Sequence, residues 1–155
     1  MGRVAEELRE YEEARQNYQQ AISIKIEFSD RYSQALTYHQ LGVVALELRE
    51  YGEARQNYQQ AISIKIEFGD RYSQASTYGQ LGLLAAAEND FTEAGQNLLQ
   101  ALEIFAQFQD QNSVETALSN LSRLYQTTQD DNLLQEISQV LGITIEEVRQ
   151  KLEST

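Results

Sequence analysis

Few residues in this chain are of a type that does chemistry, and their spacing says what they can do. There is one histidine, His39, and no cysteine. A helical histidine works as a metal ligand with a partner one turn away, but positions i+3 and i+4 hold Gly42 and Val43. His39 therefore reads as a polar, hydrogen-bonding side chain. The acidic pairs Glu6-Glu7, Glu12-Glu13 and Glu146-Glu147 are sequence neighbours. Neighbours on a helix point in different directions, whereas acid–base work needs carboxyls aimed into one cleft with shifted pKa values. No phosphate-cradling glycine loop and no Ser–His–Asp pattern is visible. The expectation is a chain that is no enzyme and takes no metal and no cofactor.

Charge narrows the partners. The chain has 24 acidic and 12 basic residues, a formal net charge of −12. Binding a phosphate backbone needs clustered Lys and Arg to release counterions, so nucleic acid is not expected. The acidity reads as a device for solubility, or as a preference for basic partners. No apolar run approaches the length of a membrane span, so no membrane partner is expected. The opening residues Met1–Glu7 carry charge and lack the apolar stretch of a signal peptide. A cytoplasmic location follows as the expectation.

The elements that position these residues come in copies. Val4–Ala35 recurs forty residues later as Val44–Ala75, with differences only at Glu6/Leu46, Glu12/Gly52 and Ser29/Gly69. A weaker third copy runs from Leu84 to about Glu115. A fixed period of this size means stacked units, each burying its apolar face against its neighbours. In the reference unit, Ala35, Tyr38, Leu41, Gly42, Ala45 and Leu48 fall in steps of three and four, as on one helical face. A polar break at Arg49-Glu50 follows, then a second helical pattern through Tyr51, Ala54, Tyr58, Ala61, Ile62 and Phe68. Gly69-Asp70 marks its end, since Gly tolerates the left-handed backbone and Asp caps the next helix.

This spacing predicts a half helix over Gly2–Arg9 and full helices over Glu12–Phe28, Tyr32–Leu48, Gly52–Phe68 and Tyr72–Glu88. Further helices are expected over Thr92–Phe108, Asn112–Thr127, Asn132–Leu141 and Glu146–Glu153. The full repeat helices would be roughly 27 Å long at 1.5 Å per residue. Gly42 and Gly82 sit mid-helix, where Gly costs about 1 kcal/mol relative to Ala. Close approach of the partner helix is the physical reason, assisted by Ala54, Ala61, Ala94 and Ala101. The recurring tyrosines Tyr11, Tyr18, Tyr51, Tyr58 and Tyr78 read as core packing.

These residues spell a known pattern. Tyr38, Leu41, Gly42, Ala45, Tyr51, Ala54, Tyr58 and Ala61 resemble the tetratricopeptide repeat in type and spacing. So do Tyr78, Leu81, Gly82, Ala85, Phe91, Ala94, Leu98 and Ala101. Gly2, Ala5, Tyr11, Ala14, Tyr18 and Ala21 match its latter part, and Leu118, Leu121, Ser122 and Tyr125 give a degenerate copy with Ser122 at the Gly position. The usual period is thirty-four. Here it is forty, and Ile26 and Ile66 stand where the family places Pro, which implies longer helices. The chain resembles the forty-residue subclass found in kinesin light chains, polarity adaptors and bacterial sensor proteins.

The resemblance implies an all-α, right-handed solenoid of antiparallel helix pairs whose first helices line a concave groove for peptides or proteins. On this reading, residues 1–128 hold the repeats: a partial unit over 1–30, units over 31–70 and 71–110, and a degenerate unit over 111–128. Residues 129–155 form capping helices.

Comparing the copies locates the expected groove. Ser33–Leu48 and Ser73–Glu88 differ at Leu36/Ser76, His39/Gly79, Val43/Leu83, Val44/Leu84, Leu46/Ala86, Glu47/Ala87 and Leu48/Glu88. Offsets 36, 39, 43, 46 and 47 share one face, which the resemblance assigns to the groove. Thr116, Ser119 and Arg123 continue it into the fourth unit, with Gln126 beyond. Leu36, Val43, Leu46, Leu83, Ala86 and Ala87 make the face apolar, and Ser76 and Gly79 make it shallow. An amphipathic helix or extended apolar segment is the expected ligand, each Leu-sized anchor contributing about 1.5–3 kcal/mol. Internal packing and binding to a second copy are the alternatives. Chaperone-binding relatives hold a C-terminal carboxylate with Lys, Asn and Arg on this face; His39, Val43, Gly79 and Leu83 provide no such clamp.

The ends read differently. The repeat phase places Met1 where Leu41 stands, so the first unit begins part-way, the expectation being a fragment of a longer regulatory or sensor protein. An uncovered face on the first full helix would then favour a concentration-dependent dimer or domain swap. At the other end, Glu136-Ile137, Leu141-Gly142-Ile143-Thr144, Val148 and Leu152 resemble the helix-turn-helix of sigma-factor and response-regulator DNA-binding domains. Glu146, Glu147 and Glu153 oppose that role, with only Arg149 and Lys151 beside them. A cap over the last unit is the expectation.

Overall fold

Left-handed turn residues set most of the helix ends. The computed structural model describes Gly2–Thr155, and the described residues form eight α-helices without a strand. They are α1 (Gly2–Glu27), α2 (Arg31–Glu47), α3 (Tyr51–Glu67), α4 (Arg71–Ala87), α5 (Phe91–Gln107), α6 (Gln111–Thr128), α7 (Asp131–Leu141) and α8 (Ile145–Glu153). α1 through α5 are each followed by one residue with positive φ: Ser29, Arg49, Gly69, Asn89 and Gln109. There the chain reverses through paired backbone hydrogen bonds, such as Arg49 N–H to Leu46 O at 2.9 Å and Glu50 N–H to Ala45 O at 2.8 Å. An acidic residue then opens the next helix. Asp30, Asp90 and Asp110 accept from the backbone N–H of Ser33, Glu93 and Ser113 at 3.2, 3.1 and 3.2 Å.

One expected boundary is absent. The half helix over Gly2–Arg9 and the separate helix from Glu12 are instead a single helix, α1. The repeat predicted a break at Arg9-Glu10 because Arg49-Glu50 breaks there in the next copy. A left-handed, non-glycine residue costs about 1–3 kcal/mol and persists only where packing offsets it. At Arg49 the offset is the burial of α2 against α3. At Arg9 there is none: Val4 is 62% exposed and Leu8 47%. Helix propensity then carries the backbone straight through.

The chain forms two compact units, up to Asp70 and from Arg71 onward. In the first, α2 and α3 form an antiparallel hairpin that buries Leu41, Gly42 and Ala45 of α2 and Ala54, Tyr58, Ala61 and Ile64 of α3. A Cβ built on Gly42 would lie 2.5 Å from the Tyr58 ring, so only glycine admits this approach. α1 also packs against α2. Lys25 Nζ donates to Thr37 Oγ1 at 2.6 Å, and Arg15 of α1 holds Glu50 and lies 3.6 Å from Glu53.

In the second unit α4 and α5 repeat the hairpin, with Leu98 in place of the tyrosine. A Cβ on Gly82 would meet Leu98 Cγ at 2.7 Å. One apolar core joins Leu98 and Leu102 of α5, Leu121 and Leu124 of α6, Leu134 and Ile137 of α7, and Val148 and Leu152 of α8. α7 and α8 start one residue before their expected bounds. Gly142 at φ 67 closes α7, and Thr144 Oγ1 caps α8 by accepting from Glu147 N–H at 3.1 Å. Ser122, at the glycine position of the repeat, donates through Oγ to Leu152 O at 3.0 Å.

Candidate functional site

The positions that vary between the copies are the open ones. On α2, Leu36 is 60% exposed, Glu47 is exposed, and His39, Val43 and Leu46 are half-buried. On α4, Ser76 and Ala87 are exposed, and Gly79, Leu83 and Ala86 are half-buried. On α6, Thr116 and Arg123 are exposed and Ser119 is half-buried. Of the seven positions that differ between the two helices, only Val44/Leu84 is buried. The shared Gln34/Gln74, Ala35/Ala75, Thr37/Thr77, Leu41/Leu81, Gly42/Gly82 and Ala45/Ala85 are all buried. Packing therefore fixes one side of each helix and leaves the other free to vary. Packing covers part of the face on each helix and leaves part of it open.

The α2 face is mostly apolar around His39. The imidazole lies 5.7 Å from the Tyr58 ring centroid. Burial, and then the nearby Lys65 charge, push its pKa down to about 4, so it is neutral near pH 7. Lys65 is itself pushed down to about 8 by burial, with Asp70 opposing. Burial also raises the Tyr58 hydroxyl. The neutral imidazole lies between Leu36 and Val43 in sequence on an otherwise apolar strip.

The α4 face is shallower. No atom comes within 4 Å of a Cβ built on Gly79, so that floor is open. On α6 the corresponding positions lie beside the end of α8. Thr116 and Ser119 share an open recess of about 500 Å³ with Lys151, Ser154 and Thr155. Arg123 donates to Asn120 Oδ1 at 2.6 Å. The α6 face is thus polar and bounded by the end of α8, unlike the apolar faces of α2 and α4.

Two features escaped the sequence reading. Tyr32 and Phe68 stack edge to face at 5.3 Å, and Tyr72 and Phe108 do the same at 5.3 Å. All four are at least 43% exposed. Each tyrosine hydroxyl donates to an aspartate, Tyr32 to Asp70 and Tyr72 to Asp110. The forty-residue recurrence of Phe28, Phe68 and Phe108 carried the signal. Of the recurring tyrosines read as core, only Tyr58 is fully buried; Tyr11, Tyr18, Tyr51 and Tyr78 are half-buried.

Among the described residues no cluster of three or more His, Cys, Asp or Glu is placed to hold a metal ion. No described helix is long and apolar enough to cross a membrane. α8 buries Val148 and Leu152 and exposes Glu146, Glu147 and Glu153, while Arg149 lies 3.8 Å from Asp131.

Comparison with known proteins agrees with the repeat geometry. Family models described as tetratricopeptide repeat match residues 1–67 and 75–108. No curated protein matches the chain. Tetratricopeptide repeats generally mediate protein–protein interaction, and the fold is typically a non-catalytic scaffold. The matched segments, the all-helical hairpins and the glycine-mediated helix approach agree, and the chain belongs to the tetratricopeptide-repeat family.

Proposed function

We propose that the chain is a non-catalytic interaction module that takes an apolar-anchored amphipathic helix, or an extended apolar segment, on the open face of α2 in the first unit or on the equivalent face of α4 in the second. The observation that carries this reading is the split between buried, shared positions and open, variable ones on the same two helices. A face that packing leaves partly open and that still carries Leu36, Val43, Leu46 and Leu83 suits a partner. Thr116, Ser119 and Arg123 of α6 supply a polar end to the ligand. The partner is protein rather than nucleic acid, given the net charge of −12. α7 and α8 act as the cap of the last unit. The module works in the cytoplasm, within a larger regulatory or sensor assembly.

Selection of helical peptides from an unbiased library on the immobilised chain tests this. The selected peptides should carry two or three apolar anchors and lose at least about a hundredfold in affinity against a Leu46→Asp/Leu83→Asp chain of unchanged helicity. Unchanged affinity in that double variant contradicts the reading. Self-association is the second reading. It is favoured by the α1 face, where Ile24 is 55% exposed while its counterpart Ile64 is 0% exposed.

A further inference from the structure

One five-residue sequence occurs twice in this chain in two conformations. Glu7-Leu8-Arg9-Glu10-Tyr11 lies inside α1 as continuous helix, and Glu47-Leu48-Arg49-Glu50-Tyr51 contains the turn between α2 and α3. The second copy is also the least locally specified of the repeat turns. Its left-handed position, φ 60, is filled by Arg49 rather than by glycine as at Gly69. Its N-cap residue, Glu50, makes no side-chain capping bond to α3, while Asp30, Asp90 and Asp110 cap the helices that follow them. Apart from the Arg15 contact to Glu50, what holds the turn closed is burial of α2 against α3.

That burial does not require α2 and α3 to come from one chain. We propose that Leu48–Glu50 is a hinge through which two copies exchange their α1–α2 segments, giving a domain-swapped dimer. In each copy the hinge straightens, as Glu7–Tyr11 does, and α2 and α3 fuse into one helix over residues 31–67. At 1.5 Å per residue this helix is about 55 Å long. Each α2 then buries Gly42 against Tyr58 of the second copy. The contact is reciprocal, so the assembly closes as a pair. The swap leaves Leu36, Val43 and Leu46 on the outer side of α2, so one particle presents two copies of that face.

One exposed position, Arg49, sets the balance without touching the interface. Arg49→Gly relieves the left-handed turn and weakens the straight helix, so it lowers the constant by more than about tenfold.

The test is refolding of the parent and Arg49→Gly chains at high concentration, followed by light scattering on a sizing column. The expected dimer fraction is higher in the parent chain than in Arg49→Gly. Mixing two dye-labelled dimer pools should show slow exchange that mild denaturant speeds. A parent chain that stays monomeric, equal dimer constants in the two chains, or exchange complete on mixing would each overturn the proposal.

Discussion

α3 and the part of α1 from Tyr11 to Glu27 are nearly the same helix, differing only at Glu12/Gly52. Their surroundings differ completely. In α3, Ala54, Tyr58, Ala61 and Ile64 are each 0% exposed. In α1, Ala14, Tyr18 and Ala21 are half-buried and Ile24 is 55% exposed. α2 covers the first set, and the second set is left partly open. The same letters are core in one place and surface in the other. A repeat residue thus acquires its role from the neighbouring helix, so energetic effects should track burial rather than sequence.

That comparison is broken most readily by paired truncations. Tyr58→Ala should cost about 3–5 kcal/mol in chemical denaturation, and Tyr18→Ala about 1 kcal/mol. Equal losses would show that α1 is covered in solution. Ile64→Ala and Ile24→Ala form a second pair with a smaller gap, about 2–5 against less than about 1 kcal/mol. Both pairs should be measured in the monomer, where no second copy shields α1.

Glycines sharpen the contrast between packed and open sides within a single helix. Gly82→Ala drives a methyl to within 2.8 Å of Leu98 Cδ2, so it should destabilise by about 1–2 kcal/mol despite the better helix propensity. Gly79→Ala, three residues away with open space above it, should stabilise by about 0.5–1 kcal/mol. Thermal melts of the two variants should therefore move in opposite directions.

The smallest effect concerns His39, whose counterpart in the next copy is Gly79. The His39 pKa is about 4 in the folded chain, against an ordinary value of 6.5. The unfolded chain takes up the proton first, so stability should fall as pH drops from about 6.5 to about 4. Solvent screening limits the change to about 1 kcal/mol. A His39→Gln chain should lose this part of the acid sensitivity, read by denaturation at pH 7 and pH 4.5.

Much of the architecture was legible because the repeat supplies its own controls. Tyr38 through Ala61 recurring as Tyr78 through Ala101 marks helix pairs before any coordinate is known, and Gly42 and Gly82 announce close approach. Apart from the buried Val44/Leu84 pair, the variable positions from Leu36 to Leu46 fell on the more open side, where packing constrains side chains least. What stayed hidden depends on tertiary context. Arg9 and Arg49 sit in identical pentapeptides, so no local pattern could show that one is helical and the other turns the chain. The Tyr32–Phe68 and Tyr72–Phe108 ring pairs were missed for a related reason. They join the starts of α2 and α4 to the ends of α3 and α5, thirty-six residues away. The α6 face was read as a plain continuation of the groove, but the end of α8 bounds it at Lys151 and Thr155.

Backbone hydrogen exchange of the chain alone and with a library-selected helical peptide tests the binding account most directly. The account predicts added protection in α2 and α4, with methyl signals of Leu36, Val43, Leu46 and Leu83 shifting on binding. Protection confined to α1, α3 and α5, with those four methyl signals unmoved, would contradict it.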